Sequence, residues 1–355
     1  MKTIRVLVVD DSAFMRRVIR QILEGAPDIE VVDVARDGQE GVEKAITLQP
    51  DVVTLDINMP HMDGLTALQH ITSKTTAKVV MISSLTQEDA LITFEALELG
   101  AVDFIAKPDG TISLGISRLA DEIIGKVRAA ARARVRRRTP GRKVPRVEKK
   151  VAEKPGAAAS VAGLDWVVMI GVSTGGPRTL EDILPHLPGD LPAGVVVVQH
   201  MPPRFTASLA QRLDQYSKLH ICEAQEGMKL SNGLAVIAPG GYHLMFRRQG
   251  SGLTCCLSLK PEDAQFRPSV DVTLHALMKA YDPRRTIGVL LTGMGDDGAE
   301  AMVELRRRGG WTVAESEETA VVWGMPRAAI ERGGADVVAP SYQIADIIRR
   351  KVGGR

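Results

Sequence analysis

The chain has 355 residues, a formal net charge of +2, 45% hydrophobic residues and 25% charged residues. That composition is of a soluble globular protein long enough for two domains, each burying its own core. No apolar run approaches the roughly 18 residues of a membrane-spanning helix, and Cys222, Cys255 and Cys256 form neither a disulfide framework nor a zinc spacing. The opening MKTIRVLVVDDS lacks a signal-peptide layout, so a reducing cytoplasm is the expected setting.

Residues 1–125 alternate apolar runs with amphipathic stretches. IRVLVVD, EVVDVA, DVVTLDI, KVVMIS and AVDFIAK read as strands, and FMRRVIRQILE, GQEGVEKAITL and EDALITFEALELG as helices. Continuous Val/Ile/Leu runs suit a parallel sheet covered on both faces, so the expectation is an α/β, five-stranded, doubly wound sheet. Asp10, Asp11, Asp56 and Lys107 then fall at carboxyl strand ends on one edge, where such folds place their function. Three carboxylates in one place repel unless a cation joins them, and an oxygen-rich set suits Mg²⁺. Asp56 would accept a phosphoryl group, with the metal and Lys107 neutralising its oxygens and Ser83 hydrogen-bonding them. The competing reading makes Asp10 and Asp11 helix caps and Lys107 a structural ion pair.

The motifs VVDDS, LDINMPHMDG, MISSLT and DFIAKP, in this order, resemble the receiver domain of two-component response regulators, a flavodoxin-like fold. The resemblance implies Asp56 as phospho-acceptor, Mg²⁺ held by Asp10, Asp11, Asp56 and the carbonyl of Asn58, and Ser83, Phe104 and Lys107 as switch residues. It also implies a histidine kinase as phosphodonor. Phe104 stands where the family often has tyrosine, so hydroxyl-dependent features of the switch do not carry over.

Residues 126–163 read as a basic helix end and linker. Lys126 to Lys154 hold thirteen Lys or Arg against Glu148 and Glu153, a local balance of +11 that leaves the remainder of the chain acidic. No aromatic residue is there to stack bases, so a solvated tether is expected and no nucleic-acid partner.

Residues 164–355 read as a second α/β domain. WVVMIGV, AGVVVVQ, IGVLLTG, WTVAE and ADVVA suit a mainly parallel sheet, and LAVIAPGGYHLMFRRQGSGLTCCLSL suits hairpins around its GG and GSG turns. WVVMIGVSTGG ends in a G-x-S-x-G turn with Ser173 at its apex and Pro177 able to start a helix. A phosphate-cradling loop or a packing turn would account for that pattern alone. VVVVQHMP also delivers His200 to a strand end, however, and LTGMGDDGA delivers Asp296 and Asp297. Serine, a histidine base and an orienting carboxylate are the parts of an acyl-transfer site. His243, placed in a hairpin turn, and His275, in a helix, read as structural. The residues leave the carboxylate open between Asp296 and Asp297, and Asp297 could instead cap the helix AEAMVELRRR. The backbone around Met294, between Gly293 and Gly295, is open enough to aim an N–H at an oxyanion. The Ser…His…Asp order departs from that of α/β-hydrolases.

GVSTGGP, QHMPPRFTASLA, APGG and LTGMGDDGA are similar to the catalytic domain of chemotaxis protein-glutamate methylesterases. The resemblance implies Ser173 as nucleophile, His200 as base, Asp297 as orienting acid and the Met294 N–H in the oxyanion hole, with no cofactor for the esterase. It further implies hydrolysis of glutamate γ-methyl esters on the cytoplasmic helices of chemoreceptors, with membrane contact only through them. Deamidation of receptor glutamines and activation by receiver phosphorylation come with it. The alternative from another class is a phosphorylation-switched, non-catalytic binding regulator.

Overall fold

The computed structural model describes residues 3–84, 86–107, 116–133, 164–250 and 252–353. Pro108 and the linker from residue 134 to 163 lie outside them. Two compact units divide the chain, Met1–Arg137 and Arg138–Arg355.

The first unit runs β1 (Ile4–Val9), α1 (Ala13–Glu24), β2 (Ile29–Ala35), α2 (Gly38–Leu48), β3 (Val52–Asp56), α3 (Gly64–Lys74), β4 (Lys78–Ser83), α4 (Gln87–Leu99), β5 (Asp103–Ala106) and α5 (Ile116–Arg132). Its sheet is parallel in the order β2-β1-β3-β4-β5, the doubly wound arrangement expected. Val6, Leu7, Val8 and Val9 are all fully buried, as a central strand covered on both faces requires. A short polar side chain caps each of the first four helices: Ser12, Asp37, Asp63 and Thr86 accept the N–H of Met15, Glu40, Thr66 and Asp89. These caps satisfy orphan N–H groups and so fix the loops that carry the functional edge. Capping of α1 falls to Ser12, not to Asp10 or Asp11.

The second unit contains β6 (Val167–Val172), α6 (Gly176–Ile183), β7 (Gly194–Gln199), α7 (Phe205–Tyr216), β8 (His220–Glu223), β9 (Lys229–Leu230), β10 (Leu234–Ile237), β11 (His243–Gln249), β12 (Gly252–Ser258), α8 (Val270–Ala280), β13 (Thr286–Leu290), α9 (Ala299–Arg307), β14 (Trp311–Glu315), α10 (Met325–Glu331), β15 (Val337–Ala339) and α11 (Ser341–Val352). Seven strands pair in parallel in the order β15-β14-β13-β6-β7-β10-β8. Chain order reverses between β6 and β13, and that switch point opens a crevice at the carboxyl ends of the strands. Apolar side chains including Met169, Val196, Leu274 and Leu290 pack into the core.

The run after Ser231 is not the expected pair of hairpins: Leu234–Ile237 is β10, paired in parallel with β7 and β8. Ala235, Val236 and Ile237 are fully buried, and an unbroken apolar run fits a strand covered on both faces better than a half-exposed hairpin. Only the GSG turn makes a hairpin, pairing β11 with β12 and adding β9 at its side. The GG turn instead leads from the large sheet into β11. His243 accordingly opens β11, fully buried, rather than sitting in a turn.

Candidate active site and phospho-acceptor site

Three neighbouring strand ends meet at the switch point. Val172 of β6 pairs with Gln199 of β7, so the next residues, Ser173 and His200, lie side by side at about the 4.8 Å spacing of adjacent strands. The His200 N–H reaches the Val172 carbonyl at 3.1 Å, and the Ser173 N–H reaches the Thr292 carbonyl, just past β13, at 2.9 Å. Gln199, buried in the same row, donates from Nε2 to the carbonyls of both Ser173 (3.0 Å) and His200 (3.1 Å). It ties the two turns together. The chain leaves Ser173 through Gly175, whose φ of +80° is costly for other residues, directly into α6 with a proline in its first turn. The positive end of that helix therefore begins two residues beyond Ser173.

His200 Nε2 donates to Asp297 Oδ2 at 2.7 Å. Its other ring nitrogen, Nδ1, is buried without a hydrogen-bond partner among the described residues. The proton thus belongs on Nε2, leaving Nδ1 as a lone pair able to take one. Phe266 stacks on the imidazole at 4.1 Å and 10°, covering one face of the ring.

The two adjacent aspartates part company. Asp296 is exposed and pairs with Arg332, whereas Asp297 turns inward to His200. Nor does Asp297 cap α9, whose N-cap is Gly298 without a side-chain bond. It caps α8 instead, accepting the N–H of Val270 (2.7 Å) and Asp271 (3.0 Å) and the hydroxyl of Ser269 (2.9 Å). Burial pushes its pKa up, but the His200 contact and the two N–H groups outweigh it and hold the carboxyl at about 2. Met294 follows Gly293 half-buried at the same edge. A Cβ on Gly293 would lie 2.8 Å from the Ser173 Cβ, so glycine is what lets that loop approach the serine turn.

In the first unit Asp56, at the end of β3, is buried beside Lys107, whose ammonium lies 2.7 Å from Asp56 Oδ2 and 3.2 Å from Asp10 Oδ2. Burial raises the Asp56 carboxyl to about 6 despite the lysine. Oxygens of Asp10, Asp11 and Asp56 lie within 4.8 Å of one another. Asp10 Oδ2 is buried with no partner beyond the Lys107 ammonium among the described residues. A hard, oxygen-only set with an orphaned acceptor fits Mg²⁺. Asn58 is exposed, with its side chain donating to Asp89 Oδ1 at 3.0 Å. Ser83 is fully buried and accepts the Thr93 hydroxyl at 2.8 Å. Phe104 is buried under the Lys126 ammonium, which lies 4.9 Å from the ring centroid and also bonds the Phe104 carbonyl.

Gln199 and Phe266 went unread in the sequence. Gln199 had a signal, a polar residue closing a run of four valines; Phe266 had none.

Together these units describe a response regulator joined to an α/β enzyme domain. A family profile for the CheB methylesterase matches residues 168–348, and one for the response regulator receiver domain matches residues 6–114. The chain belongs to the CheB methylesterase family. It is 56% identical to the protein-glutamate methylesterase/protein-glutamine glutaminase of Caldanaerobacter subterraneus subsp. tengcongensis, over 99% of this chain and 97% of that one. It is 53% identical to a protein of the same description, numbered 2, from Carboxydothermus hydrogenoformans, over 98% and 99%. The crystal structure of the Thermotoga maritima CheB methylesterase catalytic domain superimposes with a TM-score of 0.52 at 45% identity, covering 54% of this chain and 100% of that one. Among the described residues no helix is long and apolar enough to cross a membrane.

Proposed function

We propose that this protein hydrolyses γ-methyl esters of glutamate side chains on chemoreceptors, releasing methanol, and deamidates receptor glutamines by the same route. Ser173 Oγ attacks the ester carbonyl while His200 Nδ1 takes its proton, and Asp297 stabilises the imidazolium through Nε2. The Met294 N–H steadies the oxyanion, and the positive end of α6, which follows the Ser173 turn, adds to it. The tetrahedral intermediate collapses, His200 returns the proton to the departing methoxide, and methanol leaves an acyl-Ser173. Water, deprotonated by His200, then attacks the acyl carbon and releases glutamate with free Ser173. With an amide substrate the leaving group is ammonia. The observation that carries this reading is the His200 ring, level with Ser173 on the neighbouring strand end, bound to Asp297 at 2.7 Å on one side and without a partner among the described residues on the other.

Phosphoryl transfer from a histidine kinase to Asp56 controls this activity in the same proposal. Asp10, Asp11, Asp56 and the carbonyl of Asn58 would hold Mg²⁺, which when bound supplies positive charge against the phosphoryl oxygens. Lys107 adds a second cation there, and Ser83 and Phe104 answer the new charge. The profile match to receiver domains and the acidic cluster of Asp10, Asp11 and Asp56 support this part. Methanol release from a methylated receptor, with wild type against Ser173→Ala, tests the chemistry. An inert wild type would leave the phosphorylation-switched binding regulator as the better reading.

A further inference from the structure

We propose that Glu315 is a positioning residue for the esterase reaction, holding the Ser173 turn and the Gly293–Met294 loop in place through Thr292. The inference rests on the assignment of Ser173, His200 and Asp297 above and adds to it a group that never meets substrate.

Glu315 ends β14, two strands from β6 on the same carboxyl edge of the sheet. It is fully buried, and no ion pair involves it among the described residues. The charged group facing it is Asp182, a like charge, and burial raises the Glu315 carboxyl to about 7. A buried acid without a cation is costly. Its hydrogen bonds offset that cost.

Glu315 Oε2 accepts the Thr292 N–H at 2.8 Å, and Oε1 accepts the Thr319 hydroxyl at 2.8 Å. From Thr292 the bonds fan out to the active site. Its carbonyl accepts the Ser173 N–H at 2.9 Å. Its hydroxyl donates to the Thr174 carbonyl at 2.9 Å and accepts the Val322 N–H at 2.9 Å. Gly293, next in the chain, donates to the Val322 carbonyl at 2.9 Å. The backbone on both sides of the reacting serine is thus tied to one buried residue, and Glu315 fixes that residue by its N–H. The Glu315 carbonyl adds a bond from Trp323 Nε1 at 3.2 Å, steadying the 322–323 segment from behind. A shift of the serine turn relative to the oxyanion loop by even ~1 Å costs about 100-fold in rate.

The test uses the full-length chain and a synthetic peptide bearing a glutamate γ-methyl ester, with released methanol as the readout. Glu315→Asp keeps the charge but draws the carboxylate back by one methylene, out of reach of Thr292 and Thr319 together. We expect kcat to fall roughly 10- to 100-fold with KM within about twofold. Glu315→Gln keeps an acceptor for Thr292 at full length, while its amide N–H donates to the second lone pair of the Thr319 hydroxyl, which already accepts the Ser341 N–H, so kcat is expected to recover to within about threefold of wild type. A residue that served only folding would not separate kcat from KM or length from charge in this way. Should Glu315→Asp fail to fold, Glu315→Met carries the test: it keeps the side-chain length but deletes both acceptors, for the Thr292 N–H and the Thr319 hydroxyl, with the same kcat loss expected. An undiminished kcat in Glu315→Asp or its replacement variant, a loss confined to KM, or a glutamine variant as impaired as the aspartate one overturns the proposal. Ser173→Ala run alongside keeps the two levels apart. If it stays active the underlying assignment fails, whereas if it is dead and Glu315→Asp is unimpaired only the role of Glu315 fails.

Discussion

Asp297 carries two functions in one carboxylate, binding the imidazole of His200 and capping α8. Asp297→Ala is therefore expected to lose stability as well as turnover, by about 1–3 kcal/mol for the orphaned N–H groups, which a thermal melt measures. Its carboxyl is depressed from the ordinary 3.8 to about 2, so the ionised form is favoured by folding. The stabilisation is complete above the unfolded value and is lost as pH falls through the folded one. The stability gap between wild type and Asp297→Asn should hence narrow on acidification through that window, while Asp296→Asn tracks wild type. An equal loss of activity in Asp296→Asn would mean the wrong aspartate has been assigned. Ser173→Ala and His200→Ala should each lower turnover by orders of magnitude. Because they act as a unit, the double variant should be little worse than the worse single one, and losses that multiply would speak against a shared mechanism. At this scale the sequence was legible where chemistry coincides with a strand end, as at Ser173, His200 and Asp56. It was silent on Phe266 and on the Glu315–Thr292 link, which join residues distant along the chain, and it could not choose between adjacent aspartates that face opposite ways.

Among the elements, the glycines of the 293–295 loop set how closely β13 delivers its turn to the one after β6. Gly293→Ala would place a Cβ 2.8 Å from the Ser173 Cβ and 2.2 Å from Met325 Sδ. The methionine can swing aside, but the serine turn is pinned by its bonds to Thr292 and Gln199. We expect roughly a 10- to 100-fold loss of esterase turnover, with Asp56 phosphorylation unchanged because that site lies in the other unit. Activity at the wild-type level would show the loop has slack that the contacts do not suggest. Strand periodicity exposed both parallel sheets, since short uninterrupted Val/Ile runs suit strands buried on both faces. It misled at β10, where four apolar residues between turn signals suit a hairpin as well as a buried central strand, and only pairing with β7 and β8 decides.

Across the whole molecule, the proposal is that the receiver controls the hydrolase carried on the same chain. A tether of roughly thirty residues keeps the receiver at high effective concentration near the catalytic unit. Asp56 should take up phosphoryl groups only with Mg²⁺, since the clustered carboxylates otherwise repel the incoming phosphate. Asp56→Asn should abolish the labelling, and label persisting there would place the acceptor elsewhere. A fragment beginning near Val161 should be more active than the unphosphorylated full chain and indifferent to phosphodonors. If it folds yet shows no more activity, the receiver must act as a positive activator.

In the proposed function, phosphorylation of Asp56 governs ester hydrolysis at Ser173. The direct measurement is methanol release from methylated receptor membranes by the full chain with Mg²⁺, with and without acetyl phosphate, beside Ser173→Ala and Asp56→Asn. Phosphodonor should raise the wild-type rate about 5- to 150-fold, the range of a modest two-site coupling. It should leave Asp56→Asn at the basal rate and Ser173→Ala inert. A wild-type rate unchanged by phosphodonor, or methanol release that survives Ser173→Ala, would contradict the claim.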